Sequence, residues 1–326
     1  MRVLIVKTSS MGDVVHAMPV VADMRHHLAN VQIDWLVEAP FAAIAQMNPG
    51  IRKVLPMAWR KWRSQLFSPK TWAAMRALRD EMREAKYDLV LDLQGLIKSA
   101  LWARQARAPI AGYDKASIRE PQATWFYTLQ AAVSRELHAV DRCRLLAAAH
   151  LGYKLPTGSR GPLVPPDFGL KVRAGDWAPR NKYAVLIPNA SRREKLWPER
   201  HWAAVGKRLQ ERGWMPVVLW GRDSEQTLAE RIAASCDGDV PPFLTVAQTA
   251  SVLAEANQVV GLDTGFTHLA AALGRPTLGI YCDHEPGLAG ITGPGRVASI
   301  GGKRQVPSRN EVLALLEQQL SFSTAS

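Results

Sequence analysis

The chain has 326 residues, 47 % of them hydrophobic, with 41 Lys and Arg against 29 Asp and Glu and a formal net charge of +12. That length accommodates two domains with full cores, and the composition excludes a disordered or collagen-like chain. No apolar run nears the about 20 residues that cross a bilayer, and residues 3–6 are too short for a signal-peptide core, so a cytoplasmic protein is expected. Cys143, Cys236 and Cys282 are odd in number, widely spaced and free of CxxC, which argues against a disulfide framework or a zinc site.

Apolar runs of strand length predict strands at 3–7, 33–38, 53–57 and 88–93. They alternate with helical patterns at 14–29, 41–47, 70–86 and 96–106, and helical patterns continue at 119–132 and 136–151. The Pro- and Gly-rich stretch 154–169 reads as a linker. Beyond it come strands at 183–188, 215–220, 257–262 and 276–281, and helices at 198–212, 223–235, 246–256, 265–273 and 309–320. Strands alternating with helices imply parallel sheets, and two such blocks imply two Rossmann-like, doubly wound domains facing a cleft.

Three strand ends carry chemistry. Val3-Leu4-Ile5-Val6 runs into Lys7-Thr8-Ser9-Ser10-Met11-Gly12-Asp13, which sets Asp13 where ligands bind in open α/β sheets. Asp is also a favoured helix cap, so Asp13 reads equally as a cap and as a catalytic carboxylate. Leu186-Ile187-Pro188 leads into a cationic loop holding Ser191, Arg192, Arg193 and Lys195, whose charges could neutralise a leaving phosphate or simply face water. Val259-Val260-Gly261-Leu262 ends in Asp263, Thr264 and Gly265 before a small-residue helix that includes His268. The unpaired first-turn amides of that helix form a ready diphosphate site, unless Asp263 and Thr264 serve only as caps.

Charge is unevenly spread. Residues 52–83 hold nine basic residues against Asp80 and Glu81, with Trp59, Trp62, Phe67 and Trp72 interleaved. Such a strip suits an anionic membrane surface; a soluble basic face is the plainer alternative. Nucleic acid is not expected, because no RNP or zinc-finger pattern is present. Asp237-Gly238-Asp239 spells a DxD but follows a helix rather than a strand, and reads as a loop.

In combination the motifs are specific. VKTSSMGDVVHAMP at the start, YDLVLDLQGLIKSA at 87–100, REPQATWFY at 119–127, EKLWPERHW at 194–202 and GLDTGFTHLAAALGRP at 261–276 span nearly the whole chain. With them the chain resembles the lipopolysaccharide heptosyltransferase I family, inverting glycosyltransferases of the GT-B fold. The SSMGD-VVH opening looks like the first rather than the second heptosyltransferase. The resemblance implies an acceptor domain at 1–160, a nucleotide-sugar domain at 161–308, and a terminal helix at 309–326 packing back on the first. It implies transfer of L-glycero-D-manno-heptose from ADP-heptose to the Kdo of Kdo-lipid A, at the inner leaflet of the cytoplasmic membrane, with no metal or cofactor. Asp13 would be the general base and Lys195 would stabilise the departing ADP. Ser191, Glu225, Asp263, Thr264, Gly265 and His268 would bind the donor; Glu225 also reads as an ordinary first-turn acid. Ser10, Gly12, Arg60, Arg63, Lys98, Arg119, His138 and Arg142 would meet the acceptor.

The chain departs from the family at Ala190-Ser191, where relatives often carry a hydroxyl pair, and in the turn at 282–286. Competing functions are heptosyltransferase II or another GT-B transferase, and a non-catalytic binder of lipid A or anionic membrane. A nicotinamide-dependent oxidoreductase is disfavoured, because no GxGxxG follows the first strand.

Overall fold

The computed structural model describes residues 1–156, 163–175, 177, 179 and 181–321. The chain divides into two compact units, Met1–Leu170 and Lys171–Ser326. The boundary expected at 160/161 lies outside the described residues.

The first unit runs β1 (Arg2–Val6), α1 (Met11–Ala17), α2 (Pro19–His27), β2 (Gln32–Glu38), α3 (Ala42–Gln46), β3 (Lys53–Met57) and α4 (Trp59–Trp62). It continues with α5 (Pro69–Glu84), β4 (Leu89–Asp92), α6 (Ile97–Ala103), β5 (Ile110–Tyr113), β6 (Leu129–Ala131) and α7 (Ala139–Leu151). Its six strands form one sheet in the order β3-β2-β1-β4-β5-β6, every pair parallel. Helices cover both faces of such a sheet, which is why Val3, Leu4, Ile5 and Val6 are all fully buried and read as a continuous apolar run.

The second unit runs β7 (Tyr183–Ile187), α8 (Glu199–Gln210), β8 (Met215–Val218), α9 (Asp223–Ala234), α10 (Val246–Glu255) and β9 (Gln258–Leu262). There follow α11 (Gly265–Ala272), β10 (Thr277–Tyr281), α12 (Pro286–Ala289), β11 (Val297–Gly301) and α13 (Arg309–Ser321). Its parallel sheet has the order β11-β10-β9-β7-β8.

Three expectations are corrected. The helix expected over 14–29 begins earlier, at Met11, and divides at Met18 because Pro19 brings no N–H to the ladder. The helical pattern at 119–132 is a 3-10 turn, Pro121–Phe126, followed by edge strand β6. There the Tyr127 ring lies over Gly112 on β5, where any Cβ would come within 2.3 Å of it. Strands β5 and β11 were not expected: β5 is short, and β11 is a half-exposed edge.

Helix α13 packs against the core of the second unit. Val312, Leu316 and Leu320 form one apolar stripe and are buried with Trp202, Val205 and Leu209. Glu317 accepts hydrogen bonds from Arg208 at 2.5 Å and Arg212 at 2.6 Å, and the Gln319 side chain accepts from Gln258 at 2.8 Å and donates to the Thr277 carbonyl at 3.2 Å.

Candidate active site

Each sheet has one place where strand order reverses, β1 next to β4 in the first and β7 next to β9 in the second. Loops leaving the carboxyl ends of such neighbours part to opposite faces and open a crevice. Ser10, Gly12, Asp13 and Lys98 lie at the first of these places, and Ser191, Lys195, Asp263, Thr264, Gly265 and His268 at the second.

In the first unit the loops after β1 and β4 are tied together. Gln94 Oε1 accepts the N–H groups of Thr8 at 2.9 Å and Ser9 at 3.1 Å, and Lys7 Nζ donates to the Leu93 carbonyl at 2.9 Å. Lys98 Nζ donates to Ser9 Oγ at 3.0 Å. Beneath them Asp92 is fully buried and accepts from Ser99 Oγ at 2.8 Å, Tyr127 Oη at 2.7 Å and the Gln94 N–H at 2.9 Å. Burial pushes its carboxyl up, against the pull of those donors.

Asp13 stands at the third position of α1, and Ser10 is the cap residue. Asp13 Oδ2 accepts from both the N–H and the hydroxyl of Ser10, each at 2.8 Å, the reciprocal half of a capping box. Its Oδ1 faces the buried Lys7 ammonium at 4.0 Å, and the side chain remains 40 % exposed. One oxygen therefore caps the helix while the other faces the Lys7 ammonium; Gly12 lies beside it, partly exposed.

The acceptor-side residues divide into two groups. Lys98 meets Ser9 directly, and Arg60 and Arg63 lie exposed on α4 and just after it. Glu38 is buried at the end of β2, with Oε1 lacking a hydrogen-bond partner among the described residues. Burial raises the Glu38 carboxyl and lowers the Lys98 ammonium; their mutual attraction opposes both shifts. His138 accepts the Val140 N–H at 3.3 Å as the cap of α7, and its ring meets that of His16 on α1 edge-on at 5.6 Å. Arg142 is occupied within the fold, donating to the Ser117 carbonyl at 2.7 Å and lying over the Tyr113 ring at 4.8 Å. Arg119 is exposed beside Glu120, whose carboxylate accepts the Ile97 N–H at 2.7 Å.

In the second unit, Lys195 from the loop after β7 donates to Asp263 Oδ2 at 2.5 Å, and His268 Nε2 lies 3.2 Å from Oδ1. Burial alone would raise the Asp263 carboxyl, but the hydrogen bonds and charges of His268 and Lys195 hold it well below the usual carboxylate range. Thr264 is the cap residue of α11, yet its hydroxyl pairs with Thr267 Oγ1 at 3.2 Å and makes no bond to the first-turn amides. Those amides, beginning at Gly265, carry the positive end of the helix dipole. The close seat of α11 needs Gly261, where a Cβ would come within 2.3 Å of Thr267 Oγ1.

Glu225 closes the turn after β8, accepting from the Gly221 N–H at 3.1 Å and from Arg222. Ser191 is exposed, and next to it Arg192 pairs with Asp283 at 3.4 Å. The two departures noted in the sequence thus meet in one ion pair. Asp237-Gly238-Asp239 forms a turn on the β8 edge, Asp237 taking a φ of 44° and the Val218 N–H donating to the Asp239 carbonyl at 2.9 Å. Among the described residues no group of three or more His, Cys, Asp or Glu could hold a metal. Sequence reasoning missed Lys7, Glu38, Gln94 and Asp283. Each is a polar residue at the carboxyl end of a strand, the one local signal that could have marked them.

Known proteins match this arrangement. The sequence model of glycosyltransferase family 9 (heptosyltransferase) matches residues 75–313. Lipopolysaccharide heptosyltransferase 1 of Pseudomonas aeruginosa is 40 % identical over 91 % of this chain and 83 % of its own length. The Escherichia coli heptosyltransferase WaaC with ADP superposes with a TM-score of 0.88 at 35 % identity, covering 98 % of this chain and 100 % of that one. The same enzyme with ADP-2-deoxy-2-fluoro heptose gives 0.83 at 33 % identity, over 98 % and 99 %. The two parallel α/β units are those of a GT-B glycosyltransferase, and the chain belongs to glycosyltransferase family 9, the heptosyltransferases.

Proposed function

We propose that the chain transfers L-glycero-D-manno-heptose from ADP-heptose to the Kdo of Kdo-lipid A, with inversion, in assembly of the lipopolysaccharide inner core. The acceptor hydroxyl attacks the anomeric carbon, the bond from that carbon to the diphosphate oxygen breaks, and the hydroxyl proton passes to Asp13 Oδ1. A hydroxyl is a weak acid, so the proton moves late and the carboxylate must lie within hydrogen-bond reach. Lys195 and the first-turn amides of α11 neutralise the charge that grows on the departing ADP. Asp263 and His268 order that turn, while Ser191, Thr264, Gly265 and Glu225 complete the donor site.

On the acceptor side, Ser10 and Gly12 line the approach to Asp13. Arg60, Arg63, Lys98, Arg119, His138 and Arg142 supply the charge that carboxylates and phosphates call for. The enzyme works on the cytoplasmic face of the inner membrane, as a peripheral protein drawn there by the basic, aromatic strip at 52–83. No metal or cofactor takes part in this scheme, since side chains and amides supply all the charge it needs.

The observation that carries the proposal is the ionised Asp263 bridging Lys195 and His268 at an uncapped helix start. The relatives solved with ADP and with an ADP-heptose analogue support it. The test is ADP release from ADP-heptose and Kdo-lipid A in the presence of EDTA. Release that needs the Kdo acceptor and survives chelation is expected. Release lost on chelation, or indifferent to the acceptor, would sink the proposal.

A further inference from the structure

We propose that the α4–α5 face of the first unit docks on an anionic bilayer, Leu66, Phe67 and Trp72 entering the interface while a neighbouring arginine cavity seats lipid phosphates. The placement rests on the membrane reading above and names the element that carries it.

Trp62, buried 5.4 Å from the Trp102 ring, roots the strap between α4 and α5 in the fold. Beyond that anchor Phe67 is fully exposed, Leu66 and Trp72 are half-exposed, and the Trp72 indole donates to the Leu66 carbonyl at 2.6 Å. Three large apolar side chains held together in water mark a surface that is covered in use. Arg60, Lys61, Arg63, Lys70, Arg76 and Arg79 share this stretch of chain, and no Asp or Glu occurs from residue 39 to residue 79. Apolar tips within a field of cations are what an anionic leaflet recognises; nucleic acid would leave the tips unused.

A groove of about 830 Å³ is lined by Trp72, Met75, Leu101 and Trp102 together with Arg76 and Arg79. A second cavity of about 830 Å³ shares Gln105 with the first. Arg83, Arg104 and Arg107 line it beside the exposed Trp125, and no carboxylate does. Among the described residues none of these three arginines lies within ion-pair distance of an acid, so their charge awaits an anion from outside. Lipid phosphates beside an acyl interface supply both halves of what the two cavities offer.

The experiment is flotation of the full chain with phosphatidylglycerol/phosphatidylethanolamine vesicles and with phosphatidylcholine vesicles. Turnover of a water-soluble, deacylated Kdo acceptor is measured alongside. Wild type is expected to float with the anionic vesicles only. Leu66→Ser/Phe67→Ser should bind them about tenfold or more weakly. Arg104→Glu/Arg107→Glu should lose the preference for anionic lipid. Both variants should keep wild-type turnover of the soluble acceptor. Equal flotation with neutral vesicles, or apolar variants that float like wild type, would overturn the docking surface. So would a concentration-dependent dimer abolished by Phe67→Ser without any vesicle binding, which would assign the face to a second copy. Turnover without flotation overturns the docking and leaves heptose transfer standing; flotation without turnover does the reverse.

Discussion

The two oxygens of Asp13 have different surroundings. Oδ2 is engaged by Ser10, which fixes the side chain, while Oδ1 faces the Lys7 ammonium at 4.0 Å on a side chain that is 40 % exposed, the carboxylate proposed above as the base. Replacing Asp13 by Ala should therefore lower kcat by about 10²–10⁴-fold, the usual worth of a general base, and leave the acceptor KM nearly unchanged. Lys195→Ala should raise the donor KM as well as lower kcat, because its charge meets the diphosphate before and during bond breaking. Steady-state kinetics in both substrates separates the two, and an Asp13→Ala enzyme with most of its kcat would refute the base assignment. Asp263 carries a pH signature. Its folded carboxyl lies below the unfolded value of about 3.9, so its stabilising effect is full above that value and fades as pH falls beneath it. The difference in Tm between wild type and Asp263→Asn should accordingly shrink from pH 5 to pH 3, as followed by thermal melts; a constant difference would contradict the ion-pair account. Strand-turn-helix spacing brought Asp13, Lys195 and Asp263 into view from sequence. The partition of Asp13 between two roles was invisible there, because it depends on Lys7 being buried and anchored on Leu93.

At the scale of elements, long periodic segments were legible and short edges were not. α5 announces itself through Ser68 and Pro69 at its start and an apolar stripe, and β1, β7 and β9 through continuous apolar runs. β6 has three residues, two of them exposed, so no pattern in it separates strand from turn. Its position follows from β5, which in turn needs Gly112 under the Tyr127 ring. α13 shows a different limit. Its helix was foreseen, but an apolar stripe states that a helix must be covered and not by what. The partner is the core around Trp202 and Leu209, in which Leu316 is fully buried. Leu316→Ala should destabilise the second unit by about 2–5 kcal/mol, measured by urea denaturation. A loss below about 1 kcal/mol would mean that the helix is not part of that core.

For the whole molecule, composition and periodicity determined that the chain is α/β, that it has two parallel-sheet units, and that particular polar residues end particular strands. These are local properties: burial on both faces makes a strand apolar throughout, and a helix must show its period within a few turns. The quoted motifs carried the family in the same way, because each is a contiguous strand-loop-helix segment. Strand order is not local. Nothing between Ile187 and Gly261 states that β7 pairs with β9 as well as with β8, yet that pairing is what brings Lys195 to Asp263 across 68 positions. The same holds for β1 beside β4, which joins Gln94 and Lys98 to the loop that carries Asp13. Sequence alone thus named most of the chemical groups and the kind of scaffold holding them. Only tertiary structure decided which of them meet, which oxygen of Asp13 caps the helix, and which core α13 packs on, because many packings satisfy the same hydrophobic period and long-range burial selects one.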